Sequence, residues 1–228
     1  EDKELEVSAR YAVIATGTEV ERPPIPGAEL AITSDDIFSY RPSIVDLPDE
    51  LVIVGGGYIA FEVASMLNAL GTKVHVLVRS DRALREVDKR LVEMFLAALD
   101  KEIDVKFNAP TLAIEKRGNR VAAIYSSGST KNEVSGQHVL VATGRRPVVP
   151  KGLEAVLQLN RGFVPTNDGM ETAIPGLFAT GDVTGKSTYF HAAVRESLVA
   201  AHNIMAGGTM IDYMNLRDIP VAIFTFPP

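Results

Sequence analysis

Three glycines, Gly55-Gly56-Gly57, stand between a short apolar run, Leu51-Val52-Ile53-Val54, and a stretch where Ile59, Val63, Met66, Leu67 and Leu70 recur at helical spacing. That order reads as a strand, a tight turn and a helix. The chemistry such a turn can do is to hold phosphate. Gly55 lets the chain turn sharply off the strand, and Gly57 has no side chain to stand between an anion and the N–H groups at the helix start. Ala60 takes the third small position, so the pattern is Gly-x-Gly-x-x-Ala and helix and strand can still pack closely. Gly55 and Gly57 therefore make this turn a candidate pyrophosphate site. A phosphate-free strand-turn-helix is the plainer alternative, and the intact context weighs against it.

The next strand decides which nucleotide fits. Gly71 stops the helix, and Lys73 to Val78 reads as a second strand running straight into Arg79, with Arg85 six residues later. A ribose 2′-hydroxyl calls for Asp or Glu about 20 residues beyond the glycines, whereas a 2′-phosphate calls for arginine. A guanidinium is always charged and grips phosphate through paired hydrogen bonds, so Arg79 and Arg85 favour NADP. The alternative leaves both as solvated loop arginines, with Asp81 or Glu86 serving the ribose.

A candidate ligand-facing carboxylate lies late in the chain. Leu177 to Ala179 reads as a short buried strand that delivers Asp182 at its C-terminal end, where α/β sheets bind ligands, and Gly181 permits close approach. Ala-Thr-Gly closes an apolar strand twice, at 15–17 and at 142–144.

The elements that position these residues follow from periodicity. Residues 4–14 alternate into a strand ending Tyr11-Ala12-Val13-Ile14, and Arg22-Pro23-Pro24-Ile25-Pro26-Gly27 is a connector that can be neither helix nor central strand. Thr33 to Asp36 offers an N-cap for a short helix. Val87 to Asp100 places Leu91, Val92, Phe95, Leu96 and Leu99 on one helical face, and Ile103 to Phe107 reads as a strand. Thr111 to Lys116 and Val121 to Tyr125 form an antiparallel pair around a turn, and His138 to Val141 is a further strand. Thr188 to Met205 is a helix with Ala192, Ala193, Ala200 and Ala201 small enough for close packing. The closing apolar run, Val221 to Phe226 before Pro227-Pro228, reads as a strand without a partner, as expected for a piece of a longer protein.

With 228 residues and 46% apolar composition the chain can form one large or two modest soluble domains. No apolar run is long enough to span a bilayer, and the acidic start has no signal character, so a soluble, cytoplasmic protein is expected. A net charge of −6 with no basic stripe makes nucleic acid an unsuitable partner. There are 0 cysteines, which removes thiol chemistry and thiolate metal sites, and no metal site is expected.

Taken together, the Ala-Thr-Gly and Pro-x-x-Pro-Gly run at 15–27, Ile32-Thr33-Ser34-Asp35, the motif at 54–62, the second Ala-Thr-Gly and the Thr172 to Asp182 stretch resemble the FAD-dependent pyridine nucleotide-disulfide oxidoreductases. The resemblance is to their glutathione reductase-like branch, with lipoamide dehydrogenases and mercuric reductases. It implies an α/β fold: a Rossmann-like NAD(P)-binding domain, its parallel sheet interrupted by an antiparallel β-meander crossover, inserted in a partial FAD-binding domain. The implied divisions are 1–33 and 147–215 for FAD, 34–146 for NADP(H), and 216–228 for the start of an interface domain.

The resemblance further implies that Gly55 to Ile59 hold the pyrophosphate, Arg79 and Arg85 the 2′-phosphate, and that Gly144 borders the NADP site. Tyr58 would cover the flavin ring and swing away for the nicotinamide, with Glu62 beside both. Thr16 and Gly17 would approach the adenosine half of FAD, and Gly181 and Asp182 its ribityl chain and pyrophosphate. The parent enzyme would pass hydride from NADPH to FAD and on to a redox disulfide, reduce a small-molecule disulfide or similar acceptor, and form a homodimer. Two departures stand out: the family's own first Gly-x-Gly-x-x-Gly with its Cys-x-x-x-x-Cys pair is absent from these residues, as is the interface domain with its His-Glu pair. No catalytic residue is therefore expected here. Phe226 also stands where relatives usually have histidine before Pro-Pro. The competing readings are another FAD/NAD(P)H oxidoreductase of NAD(P)H oxidase or ferredoxin reductase type, and a flavin-free nucleotide-binding module, for which the Asp182 stretch would have no use.

Overall fold

In the computed structural model, residues 5–42, 44–99 and 103–226 are described. Along the chain the elements are β1 (Ala12–Ile14), β2 (Thr18–Val20), α1 (Ser34–Phe38), β3 (Glu50–Val54), α2 (Tyr58–Ala69), β4 (Lys73–Leu77), α3 (Lys89–Ala98) and β5 (Ile103–Lys106). Then come β6 (Thr111–Arg117), β7 (Arg120–Ser127), β8 (Thr130–Gly136), β9 (His138–Val141), β10 (Arg145–Pro147), β11 (Leu177–Ala179) and α4 (Phe190–Met205). Two compact units result, one of Val20–Gly144 with Ala222–Pro228, the other of Glu1–Glu19 with Arg145–Val221. The fold is α/β.

The first of these units is built on a four-stranded sheet in the order β5-β4-β3-β9, parallel at each pairing. Its central strand is apolar on both faces, as a parallel strand covered on two sides must be. Leu51 and Ile53 join the cluster that α2 covers with Phe61, Val63, Ala64 and Leu67. Val52 and Val54 join the opposite cluster, with Leu77, Val139 and Val141 against Ile114, Ala123 and Tyr125 of the antiparallel sheet β6-β7-β8. The meander is thus the crossover from β5 at one edge to β9 at the other.

Several elements differ from the sequence reading. The third meander strand, β8, went unread because Thr-Lys-Asn-Glu-Val-Ser-Gly has no apolar alternation; its residues are held by a full ladder from Val121↔Gly136 to Ser127↔Thr130 and by the Arg117 to Glu133 bonds at 2.9 and 3.0 Å. On α3, Val92 is buried but Leu91 is 59% exposed, so the helix packs through a narrower face than its pattern offers. The helix is N-capped by Asp88, whose side chain accepts the Arg90 N–H at 2.8 Å. The expected end of that helix at Asp100, the expected start of the first strand at Glu4, and Pro227-Pro228 lie outside the described residues.

The second unit pairs β1 with β11 in parallel. Among the described residues of the alternating first segment, only Ala12–Ile14 is strand. Two clusters hold this unit: Ile14, Leu157, Val164, Ala179 and Val183, and Met170, Phe178, Ala192, Val199, Ala200 and Met214. Helix α4 begins at Phe190, two residues later than its pattern, and Ala201 faces solvent. Val221 to Phe226 is not strand, because no neighbouring backbone among the described residues offers it a ladder. What fastens the end of this unit is Asn203. Buried to 1%, its amide donates to Gly169 O at 3.0 Å and Asp212 O at 2.9 Å, while its oxygen accepts from the N–H groups of Ile211 at 2.8 Å and Asp212 at 2.9 Å.

Candidate nucleotide and flavin sites

The glycine turn leaves β3 with Gly55 at φ +150°, and its N–H donates to Leu77 O at 3.1 Å. A Cβ on Gly55 would lie 2.3 Å from the Ala142 carbonyl oxygen, so both backbone angle and space reserve the position for glycine. A Cβ on Gly56 would lie 2.8 Å from Val78 Cγ1. Gly57 differs: it is the N-cap of α2 at φ −90°, no side chain caps the helix, and a Cβ there would meet nothing within 4 Å. Space is therefore open at the start of α2, where a helix's first N–H groups have no intrahelical partners, as an anion site requires. Ala60 is fully buried against the sheet, while Tyr58 and Ile59 are half-buried against the same apolar cluster. Glu62 Oε1 accepts the N–H of Phe224 at 2.9 Å.

The arginine loop is tied to this turn. The Leu84 N–H donates to Gly56 O at 2.8 Å, with Leu84 and Ala83 buried and Leu84 in the left-handed region at φ +46°. Arg82, between the two arginines singled out by sequence, turns inward and donates to Val87 O, its Nε buried without a partner. Arg79 and Arg85 remain exposed, and neither guanidinium has a hydrogen bond or ion pair among the described residues. Asp81 and Glu86 are exposed on the same loop. Gly144, exposed at φ +141°, lies two residues beyond Ala142 and accepts the Glu21 N–H at 3.0 Å. Thus Gly55, Gly56, Gly57, Tyr58, Ile59, Arg79, Arg85 and Gly144 all follow the C-terminal ends of adjacent parallel strands.

The residues expected at the flavin gather in the other unit, beyond the C-terminal ends of β1 and β11. The Thr180 N–H donates to Ile14 O at 2.9 Å, which brings Thr16 and Gly17 beside Gly181 and Asp182. The Thr16 hydroxyl donates to Val148 O, and Gly17 turns at φ +68° with open space on its Cβ side. Asp182 Oδ2 accepts from Thr18 Oγ1 at 3.0 Å, and that hydroxyl in turn accepts from Arg145 Nε at 2.9 Å. Gly181, at φ +76°, donates its N–H to Glu196 Oε2 at 2.6 Å. Sequence reasoning missed Thr18, Leu84 and Glu196. Only the last had a signal: Glu196 interrupts the stripe of Ala192, Val199, Ala200 and Asn203, putting an acid on a helix face that must be buried.

The family signature described as pyridine nucleotide-disulphide oxidoreductase matches residues 1–197, across both of these sites. The chain belongs to this family. Among its relatives, a glutathione reductase of Burkholderia cepacia is 35% identical over 226 residues, 97% of this chain and 48% of that protein. A dihydrolipoyl dehydrogenase of Buchnera aphidicola is 32% identical over 225 residues, 96% of this chain and 46% of that protein. The solved HOCl-induced flavoprotein disulfide reductase RclA of Escherichia coli superposes with a TM-score of 0.81 at 26% identity, over 98% of this chain and 51% of that one. The chain spans about half the length of the curated relatives it matches. Among its described residues no helix is long and apolar enough to cross a membrane, and no group of His, Cys, Asp and Glu could hold a metal ion.

Proposed function

We propose that the chain is the NADP(H)-binding portion, with part of the FAD-binding domain, of a flavoprotein disulfide reductase that transfers hydride from NADPH to FAD and then to a redox disulfide. Residues 34–146 form the NADP(H) domain in this reading, 1–33 and 147–215 the partial FAD domain, and 216–228 the start of an interface domain. The observation that carries it is the pair of unpartnered guanidinium groups, Arg79 and Arg85, on a loop hydrogen-bonded to the glycine turn through Leu84.

The nucleotide fits what surrounds it: the uncapped start of the 12-residue helix α2 receives the pyrophosphate over Gly57, and the two arginines receive the 2′-phosphate. Tyr58 and Glu62, one turn apart on α2, border the nicotinamide end. Asp182 accepts ligand hydroxyls beside Thr16, Gly17 and Gly181, where a bound flavin supplies two-electron acceptance. The acceptor of the whole protein is a small disulfide or related molecule, and the protein works as a cytoplasmic homodimer. With 0 cysteines, these residues alone do not turn over a disulfide.

Calorimetric titration with NADP and NAD tests the reading. Tighter binding of NADP is expected, and equal affinities would sink it. Asp81 and Glu86 on the same exposed loop give the NAD reading its footing, and preference for NAD that is lost on substituting either would establish that reading instead.

A further inference from the structure

Glu196 on α4 is completely buried, and the reaction proposed above makes no use of it. Its Oε2 accepts the Gly181 N–H at 2.6 Å, whereas Oε1 has no hydrogen-bond partner. Packing alone would be better served by an apolar side chain, since burying a carboxyl costs free energy that one hydrogen bond only partly offsets. What the carboxyl does is hold Gly181, whose left-handed turn at φ +76° sets the direction of the next side chain, Asp182. From there the connection runs on, Asp182 Oδ2 to Thr18 Oγ1 at 3.0 Å and Thr18 to Arg145 at 2.9 Å.

We propose that Glu196 is the positioning residue for the flavin-side carboxylate Asp182, acting through the Gly181 N–H, and that its ionisation sets how firmly the turn is held. The proposal rests on the reading that Asp182 faces FAD. A carboxylate accepts an N–H bond about twice as strong as a neutral carbonyl does. Burial raises the Glu196 pKa to about 7, with the Asp182 charge adding to the rise and the Gly181 N–H, Lys186 and the Thr184 hydroxyl opposing it. Lys186 itself is held by Asn167 O at 2.8 Å. Both forms of Glu196 are therefore populated near neutrality, and the turn is firmest on the alkaline side.

The test is a titration of the isotope-labelled chain by NMR from about pH 5 to pH 9. The Gly181 amide proton is expected to shift with a single midpoint near that of the Glu196 side-chain carboxyl carbon, the Asp182 and Thr18 amides following it. In Glu196→Gln the Gly181 shift should be flat. A Gly181 amide that does not move in the wild type, or that still titrates in Glu196→Gln, overturns the proposal. Should that variant fail to fold, the wild type alone decides, because different midpoints for Gly181 and the Glu196 carboxyl are equally fatal. FAD added to the same sample tests the underlying reading separately: an unmoved Asp182 amide would remove the flavin from this turn while leaving the coupling between Glu196 and Gly181 intact.

Discussion

The Leu84 N–H donates to the Gly56 carbonyl oxygen at 2.8 Å, and this bond joins the loop that carries the arginines to the turn that would carry the pyrophosphate. Leu84 takes a left-handed backbone, φ +46°, that branched and bulky residues avoid; the cost is met by burying its side chain to 7% exposure. Leu84→Ala keeps the awkward angle and loses the burial. It is expected to destabilise the chain by about 2–5 kcal/mol in denaturant titration, and to weaken NADP more than NAD. An unchanged unfolding midpoint would mean the loop is not held by this residue.

The two outer glycines separate folding from binding. Gly55→Ala forces a Cβ to within 2.3 Å of the Ala142 oxygen at φ +150°, so it should lower the melting temperature or prevent folding. Gly57→Ala meets nothing within 4 Å at an ordinary φ of −90° and should melt like the wild type, yet lose nucleotide affinity because the new methyl takes up open space at the helix start that the phosphate would need. Wild-type affinity in a stable Gly57→Ala chain would exclude phosphate from this turn.

What could be read in the sequence was whatever rests on local pattern. The apolar run at 51–54, its glycine turn and the spacing behind it give β3 and α2 because strand burial, φ above zero and helical periodicity each leave a mark on residue type. The polar strand β8 and the non-strand tail at 221–226 left none, since each is decided by whether another backbone lies alongside. The same holds at the sites. Arg79, Arg82 and Arg85 are alike in sequence, but only the fold turns Arg82 inward to Val87. Thr18 becomes the link between Asp182 and Arg145 through contacts more than a hundred residues apart, which no spacing rule reaches.

Glu196 gives the stability of the chain a pH dependence with a definite sign. Its pKa is raised in the fold to about 7 from the ordinary 4.5, so the folded state holds a proton that the unfolded chain has lost. The contribution is fully present below about pH 4.5 and is lost as pH rises through about 7. A shift of that size corresponds to about 3 kcal/mol. Unfolding free energy measured against pH should therefore fall more steeply over this window in the wild type than in Glu196→Gln. Parallel curves would remove the buried proton.

Asn203→Ala should loosen one end of the same unit. It leaves the Ile211 and Asp212 N–H groups and the Gly169 and Asp212 carbonyls without their partner. The bond to Gly169 O is buried, and a buried group left unpaired costs about 1–3 kcal/mol, while the part-buried bonds to Ile211 and Asp212 cost less. Hydrogen exchange should show lost protection at Ile211 and Asp212 before the amides of α4, and uniform protection would count against the assignment.

The three arginines of the loop should behave differently when each is replaced by alanine. Arg79 and Arg85 are exposed and unpartnered, so removing either takes little from the fold but removes a charge-assisted contact to the 2′-phosphate. Such contacts are worth about 1.5–3 kcal/mol, or roughly ten- to a hundredfold in NADP affinity, with NAD affinity almost unchanged because it has no phosphate there. Arg82 donates to Val87 O and has its Nε buried, so Arg82→Ala should lower the melting temperature and weaken both nucleotides alike. Calorimetry with both nucleotides, alongside melting curves for the three variants, gives the readout. A loss of NADP preference in Arg82→Ala but not in Arg79→Ala or Arg85→Ala would reverse the assignment of the loop.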